Sequence, residues 1–247
     1  MKNIVSTNML TKKFGIQTAV KEISVQIEEG AIYGLVGRNG AGKTSFMKMI
    51  SGLSHPTSGE FSLFGRNSTT SECSDMFAKV GCLIETPGFF GNMSAYDNLL
   101  LKVYCCKIDD KEKYINHLLE LVDLQSAGRK KVKNYSLGMK QRLGVAMALV
   151  GTPQLLVLDE PINGLDPQGI AEMRELILKL NKEYKITVII SSHILDELSK
   201  LVTSYGFLDH GQLIYDNSVE GLEKDCQTKD LSLEEFYFQL TGGKRNV

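Results

Sequence analysis

The chain has 247 residues, 43% hydrophobic and 23% charged, which suits one large soluble domain or two small ones with a sizeable core. Its net charge of −1 gives no field to draw in nucleic acid or anionic lipid, no apolar run approaches the ~18 residues of a membrane span, and MKNIVSTNML lacks the plan of a signal peptide. The cysteines (Cys73, Cys82, Cys105, Cys106, Cys226) are odd in number and contain no CxxC pair, so a disulfide framework or zinc site is not expected; a reducing compartment and structural thiols are.

In chain order, the first third alternates short strand-like runs with turns. Ala31–Gly37 reads as a buried strand ending in glycine, and Gly59–Gly65 alternates with period two. The middle turns helical. Ser94 and Asp97 form a capping box that opens SAYDNLLLKVYCC, and Asp109 with Glu112 promises the same for the next helix. In that helix Tyr114, Leu118, Leu121 and Val122 share a face. The last third returns to strands and helices in alternation: QLLVLDEP (Gln154–Pro161), IAEMRELILKLNKEY and KITVIISSH, with a short closing helix over about Ser232–Thr241. Such alternation predicts a parallel sheet. The helical stretch, about 88–150, then reads as an insertion, and about 212–247 as a C-terminal hairpin and closing helix.

GRNGAGKT, Gly37–Thr44, fits G-x-x-x-x-G-K-[ST] between a predicted strand and a predicted helix. Gly37, Arg38, Asn39, Gly40, Ala41 and Gly42 would curl the backbone so that its N–H groups face phosphate oxygens. The helix N-terminus adds partial positive charge, and Ser45 lies in its first turn. Lys43 would reach the outer phosphates and Thr44 would ligate Mg²⁺. LLVLDEP completes the site: Asp159 ends an apolar strand as a metal ligand, and Glu160 follows as the group that polarises the attacking water. Two adjacent carboxylates at a buried strand end are too costly to desolvate for packing alone.

With these motifs in place the chain resembles the ATP-binding subunit of an ABC transporter nearly end to end. Phe14 in LTKKFG matches the aromatic that stacks on adenine, with Val20 beside it; a plain core phenylalanine is the lesser alternative. YSLGMKQR (Tyr135–Arg142) matches the signature, Gly164–Pro167 the D-loop, and Ser191–His193 the switch histidine. The resemblance implies a P-loop NTPase core with a mainly parallel sheet, an N-terminal antiparallel β subdomain and an inserted helical subdomain. It implies an ATPase using Mg²⁺, with Lys43, Glu160 and His193 as catalytic groups. Ser136 and Gly138 would meet the γ-phosphate bound by a second copy, with Asp166 linking the two sites. The signature departs from the usual Leu-Ser-Gly-Gly-Gln at Leu137 and Met139, but Ser136 and Gly138 remain.

The implied partners are a second copy of the chain and a separate transmembrane permease, at the cytoplasmic face of the membrane, with no nucleic acid. LIETPGFFGNMSAYDNL and YSLGMKQRLGVAMAL are most similar to the bacitracin- and lantibiotic-resistance subgroup; another drug, a lipid, or a soluble regulatory ATPase are the alternatives. Glu85 stands where most of the family has glutamine. It is expected near the metal, before a Pro-Gly turn, with Phe89 and Phe90 lining a permease groove or the core.

Overall fold

Strands with buried and exposed positions build the first sheet. In β1 (Asn3–Phe14) Val5, Thr7, Leu10 and Thr11 are buried and Asn8, Met9 and Lys13 exposed, with the period of two broken where the pairing register shifts between Asn8 and Thr11. β1 pairs antiparallel with β2 (Gln17–Ile23), β3 (Gln26–Glu28) and β5 (Ser58–Leu63), and β6 (Arg66–Asn67) extends the edge. β4 (Ile32–Val36) leaves this layer for a second sheet. The computed structural model describes residues 2–68, 73–85 and 88–242.

The second sheet has the order β11-β10-β4-β9-β8-β7, using β7 (Val80–Leu83), β8 (Leu155–Asp159), β9 (Thr187–Ser192), β10 (Ser204–Asp209) and β11 (Gln212–Ser218). Its neighbours are parallel except for the β10–β11 hairpin. Every residue of β4, β8 and β9 is buried, as strands covered on both faces require. Successive side chains feed opposite cores. Ile32, Val36, Leu156, Leu158, Val188 and Ile190 join one; Tyr33, Leu35, Leu155, Val157 and Ile189 join the other. Each buried aliphatic side chain contributes about 1.5–3 kcal/mol, so this central triplet is the rigid base for whatever its strand ends carry.

α1 (Lys43–Ile50) packs in the second core. α2 (Cys73–Phe77) precedes β7. α3 (Ala95–Val103), α4 (Lys111–Leu121) and α5 (Leu137–Leu149) lie in the chain between β7 and β8 and pack on one another. α6 (Pro167–Lys182) and α7 (Leu195–Ser199) flank β9, and α8 (Val219–Lys229) and α9 (Leu233–Leu240) close the chain. The capping boxes at Ser94–Asp97 and Ser232–Glu235 are formed.

Some details differ from expectation. Asp110, not Asp109, caps α4 by accepting the Lys113 N–H. The buried face of that helix is Ile115, Leu118, Leu119 and Val122, while Tyr114 and Leu121 lie at its edge. The hairpin begins at Ser204, because its first arm is also the parallel neighbour of β4. α8 has no apolar period to announce it; it is capped by Ser218 and buries only Leu222 and Cys226. Cys105 is exposed, so it is not a core thiol. The Pro-Gly turn after Glu85 and the Cys73 side chain fall outside the described residues. Among the described residues no helix is long and apolar enough to cross a membrane.

Candidate nucleotide site

β4 ends at Val36 and α1 begins at Lys43. The loop between them winds through positive φ at Gly40 (83°) and Gly42 (106°), a region that glycine enters without steric cost. A Cβ on Gly42 would collide with the Ala19 carbonyl, and one on Gly37 would lie 2.6 Å from the Leu208 carbonyl. α1 has no side-chain cap at its N-terminus and no acid in its first turn. Its leading N–H groups are therefore free for an anion, and no carboxylate competes.

Phe14, Arg38, Asn39, Gly40, Ala41, Gly42, Lys43, Thr44, Ser45 and Glu160 line one cavity of about 520 Å³. Phe14 is 56% exposed at its mouth, which removes the core alternative; the Lys12 ammonium lies over its ring, 5.1 Å from the centroid. Val20 requires correction: it is fully buried in the second core, and Gln17, Thr18 and Ala19 form that wall instead. Register shifts in the β1–β2 ladder break the period-two pattern of β2, so that Val20 and Ile23, three residues apart, are both buried.

Lys43 is 5% exposed. Its ammonium donates to the Gly37 carbonyl at 2.6 Å and pairs with Glu160 Oε1 at 3.2 Å, as a buried charge must. Glu160 Oε2 meets His193 Nδ1 at 2.6 Å. Thr44 Oγ1 donates to Asp159 Oδ2 at 2.7 Å. Asp159 Oδ1 accepts from Ser191 Oγ at 2.6 Å, and the Glu160 N–H donates to that same hydroxyl at 2.9 Å. Glu160 has φ 51°, a left-handed conformation that costs a non-glycine residue about 1–3 kcal/mol and is retained where the surroundings over-determine it. Nearby, burial raises the Glu197 carboxyl; the Glu160 charge adds to the rise and His193 opposes it.

Ser136, Gly138 and Asp166 do not join this cavity. They line a second one, of about 430 Å³, with Arg142 and Glu172. Ser136 caps α5 by accepting the Met139 N–H at 3.2 Å, and Asp166 caps α6 by accepting the Gly169 N–H at 2.8 Å. Arg142 bridges the two helices through Glu172 at 2.8 Å.

Glu85 pairs with Lys48 of α1 at 2.6 Å with its side chain 62% exposed, and it is not among the residues that line the cradle cavity. The lysine lies one turn along α1 from Thr44. Phe90 is exposed, while Phe89 packs against the larger core. Asn98, buried in α3, holds this loop by accepting the Phe90 N–H at 2.9 Å.

Sequence reasoning missed Gln17, Thr18, Ala19, Asn163, His210 and Gly211 on the cavity wall. The β1–β2 hairpin brings Gln17, Thr18 and Ala19 there and the β10–β11 turn brings His210 and Gly211, while Asn163 follows Glu160 in the loop after β8.

A glycine cradle at an uncapped helix, a lysine inside it and a Thr–Asp–Ser–Glu–His chain behind it define a phosphate-binding ATPase centre. Residues 20–163, more than half of the chain, match the ABC transporter family model. A bacitracin transport ATP-binding protein from Bacillus licheniformis is 45% identical over 91% of this chain and 72% of its own length. A lantibiotic transport ATP-binding protein from Streptococcus pyogenes is 42% identical over 87% of this chain and 90% of its own. A solved ATP-binding subunit of an ABC transporter superposes with TM-score 0.83 at 25% identity, covering 96% of this chain and 99% of that one. The chain belongs to the ABC transporter family as an ATP-binding subunit, and it hydrolyses ATP to power transport.

Proposed function

We propose that this subunit powers a separate membrane permease that expels antimicrobial peptides of the bacitracin or lantibiotic type, working as a homodimer with Mg²⁺ at the cytoplasmic face of the membrane. The division of the site into two cavities on one chain carries the dimer reading. The cradle with Glu160 and His193 is one half; Ser136, Gly138 and Asp166 are the other and lie elsewhere. A two-fold pairing sets each half against its complement in the partner, as a self-complementary interface allows.

Thr44 Oγ1 and Asp159 Oδ2 are adjacent hard oxygen donors, a fit for Mg²⁺. Mg²⁺ held by Thr44 and Asp159 would neutralise phosphate charge. Lys43 exchanges Glu160 for phosphate oxygens. Glu160 is then free to accept a proton from the attacking water, while His193 fixes its second oxygen. Glu85 acts through Lys48 rather than through the metal: the pair ties the loop after β7 to the phosphate helix, and exposed Phe90 on that loop is offered to the permease.

The cargo class follows from the relatives, whose names specify bacitracin and lantibiotic transport. Deleting the gene and restoring it as wild type or as Glu160→Gln tests the reading through the inhibitory concentration of bacitracin and a lantibiotic panel. Wild type restores resistance and Glu160→Gln does not. Unchanged sensitivity in the deletion strain rejects the peptide cargo in favour of another drug or a lipid.

A further inference from the structure

We infer that Ser191 is a positioning residue of the hydrolytic site. It is fully buried and sits directly beside Asp159 in the parallel register of β8 and β9. A hydroxyl has one proton to give and lone pairs to receive. Here the proton goes to Asp159 Oδ1 at 2.6 Å, and a lone pair takes the Glu160 N–H at 2.9 Å. One oxygen thus ties together the metal-side carboxylate and the backbone of the base.

Two consequences follow. First, Asp159 is fixed about both oxygens: Ser191 holds Oδ1, and Oδ2 is left to Thr44, the oxygen that faces the cradle. Second, Glu160 is held in its left-handed conformation (φ 51°) by a bond to the N–H at the point of strain. Ser191 touches neither substrate nor the reacting atoms; it acts through Asp159 and Glu160. An alanine leaves the Asp159 carboxylate free to rotate and the Glu160 N–H without its acceptor. A neighbour cannot substitute, because the Ser192 hydroxyl is turned to the Ile194 backbone.

This rests on the reading of Glu160 and Asp159 as the hydrolytic pair. The test compares purified wild type, Ser191→Ala, Glu160→Gln and Thr187→Val. The last removes a buried hydroxyl at the far end of the same strand, where it accepts the Gly30 N–H. Turnover, KM for ATP, melting temperature, and ADP affinity with and without Mg²⁺ are measured. Removing a residue that orients a metal ligand typically costs about 10–100-fold in activity or metal affinity. Ser191→Ala is expected to lose at least about tenfold in kcat with KM little changed, and to lose most of the Mg²⁺-dependent gain in ADP affinity while Mg²⁺-free affinity stays constant. Thr187→Val lowers the melting temperature and leaves kcat unchanged. Ser191→Ala at wild-type kcat and Mg²⁺ response overturns the inference, as does an equal loss of kcat in Thr187→Val. If Glu160→Gln also turns over normally, the underlying reading fails instead.

Discussion

At the residue scale, Gly42 and Gly40 separate two reasons for a glycine. Both have positive φ, but only Gly42 faces backbone, at Ala19, where a Cβ has no room; Gly40 has nothing within 4 Å of that position. Gly42→Ala must move the β2 wall or the loop. It is expected to abolish measurable ATP binding and to lower stability by about 1–3 kcal/mol. Gly40→Ala pays only the backbone cost and retains weakened binding. Titration with a fluorescent ATP analogue and thermal unfolding check the pair; equal binding by both variants contradicts the steric account. The motif spacing made both glycines legible in the sequence. The difference between them was not, because Ala19 arrives from a strand more than twenty residues earlier and across a sheet boundary.

At the element scale, the central strand β4 is tied to the edge of its sheet. Tyr33 Oη donates to Asp216 on β11 at 2.9 Å, passing Gly206 of β10, where a Cβ would collide with the hydroxyl. Burial raises the Asp216 carboxyl and the Tyr33 bond partly opposes the rise. The native state therefore holds a proton there more tightly than the unfolded chain. Stability is greatest below the unfolded-state value near about 4 and is lost as pH rises through the higher folded-state value. Asp216→Asn should flatten this fall in a melting-temperature profile across the acid range, and Tyr33→Phe should extend it upward. A profile identical in wild type and Asp216→Asn contradicts the assignment. The apolar runs announced β4, β8 and β9, and the Ser94 capping box announced α3. β10, β11 and α8 were harder to read. β10 begins at a serine, the β11 residues are at best half-buried, and α8 buries only two residues, so no apolar period marks the last two.

At the scale of the whole molecule, the strand ends and the loops between them line one cavity, and the helices capped by Ser136 and Asp166 line another; the proposed dimer would set the second of these against the first of the partner copy. The cradle residues were readable because phosphate binding constrains spacing along the chain. The Lys48 partner of Glu85 was not readable because it lies on a different element, and the burial of Val20 was not because a strand's facing depends on register. Glu160, paired with Lys43 and His193, is the group proposed to activate the attacking water. The most direct measurement is ATP turnover by the purified chain and by Glu160→Gln, with ATP affinity measured alongside. The account predicts that turnover falls by at least about a hundredfold with ATP affinity unchanged. Turnover by Glu160→Gln at the wild-type rate would contradict it.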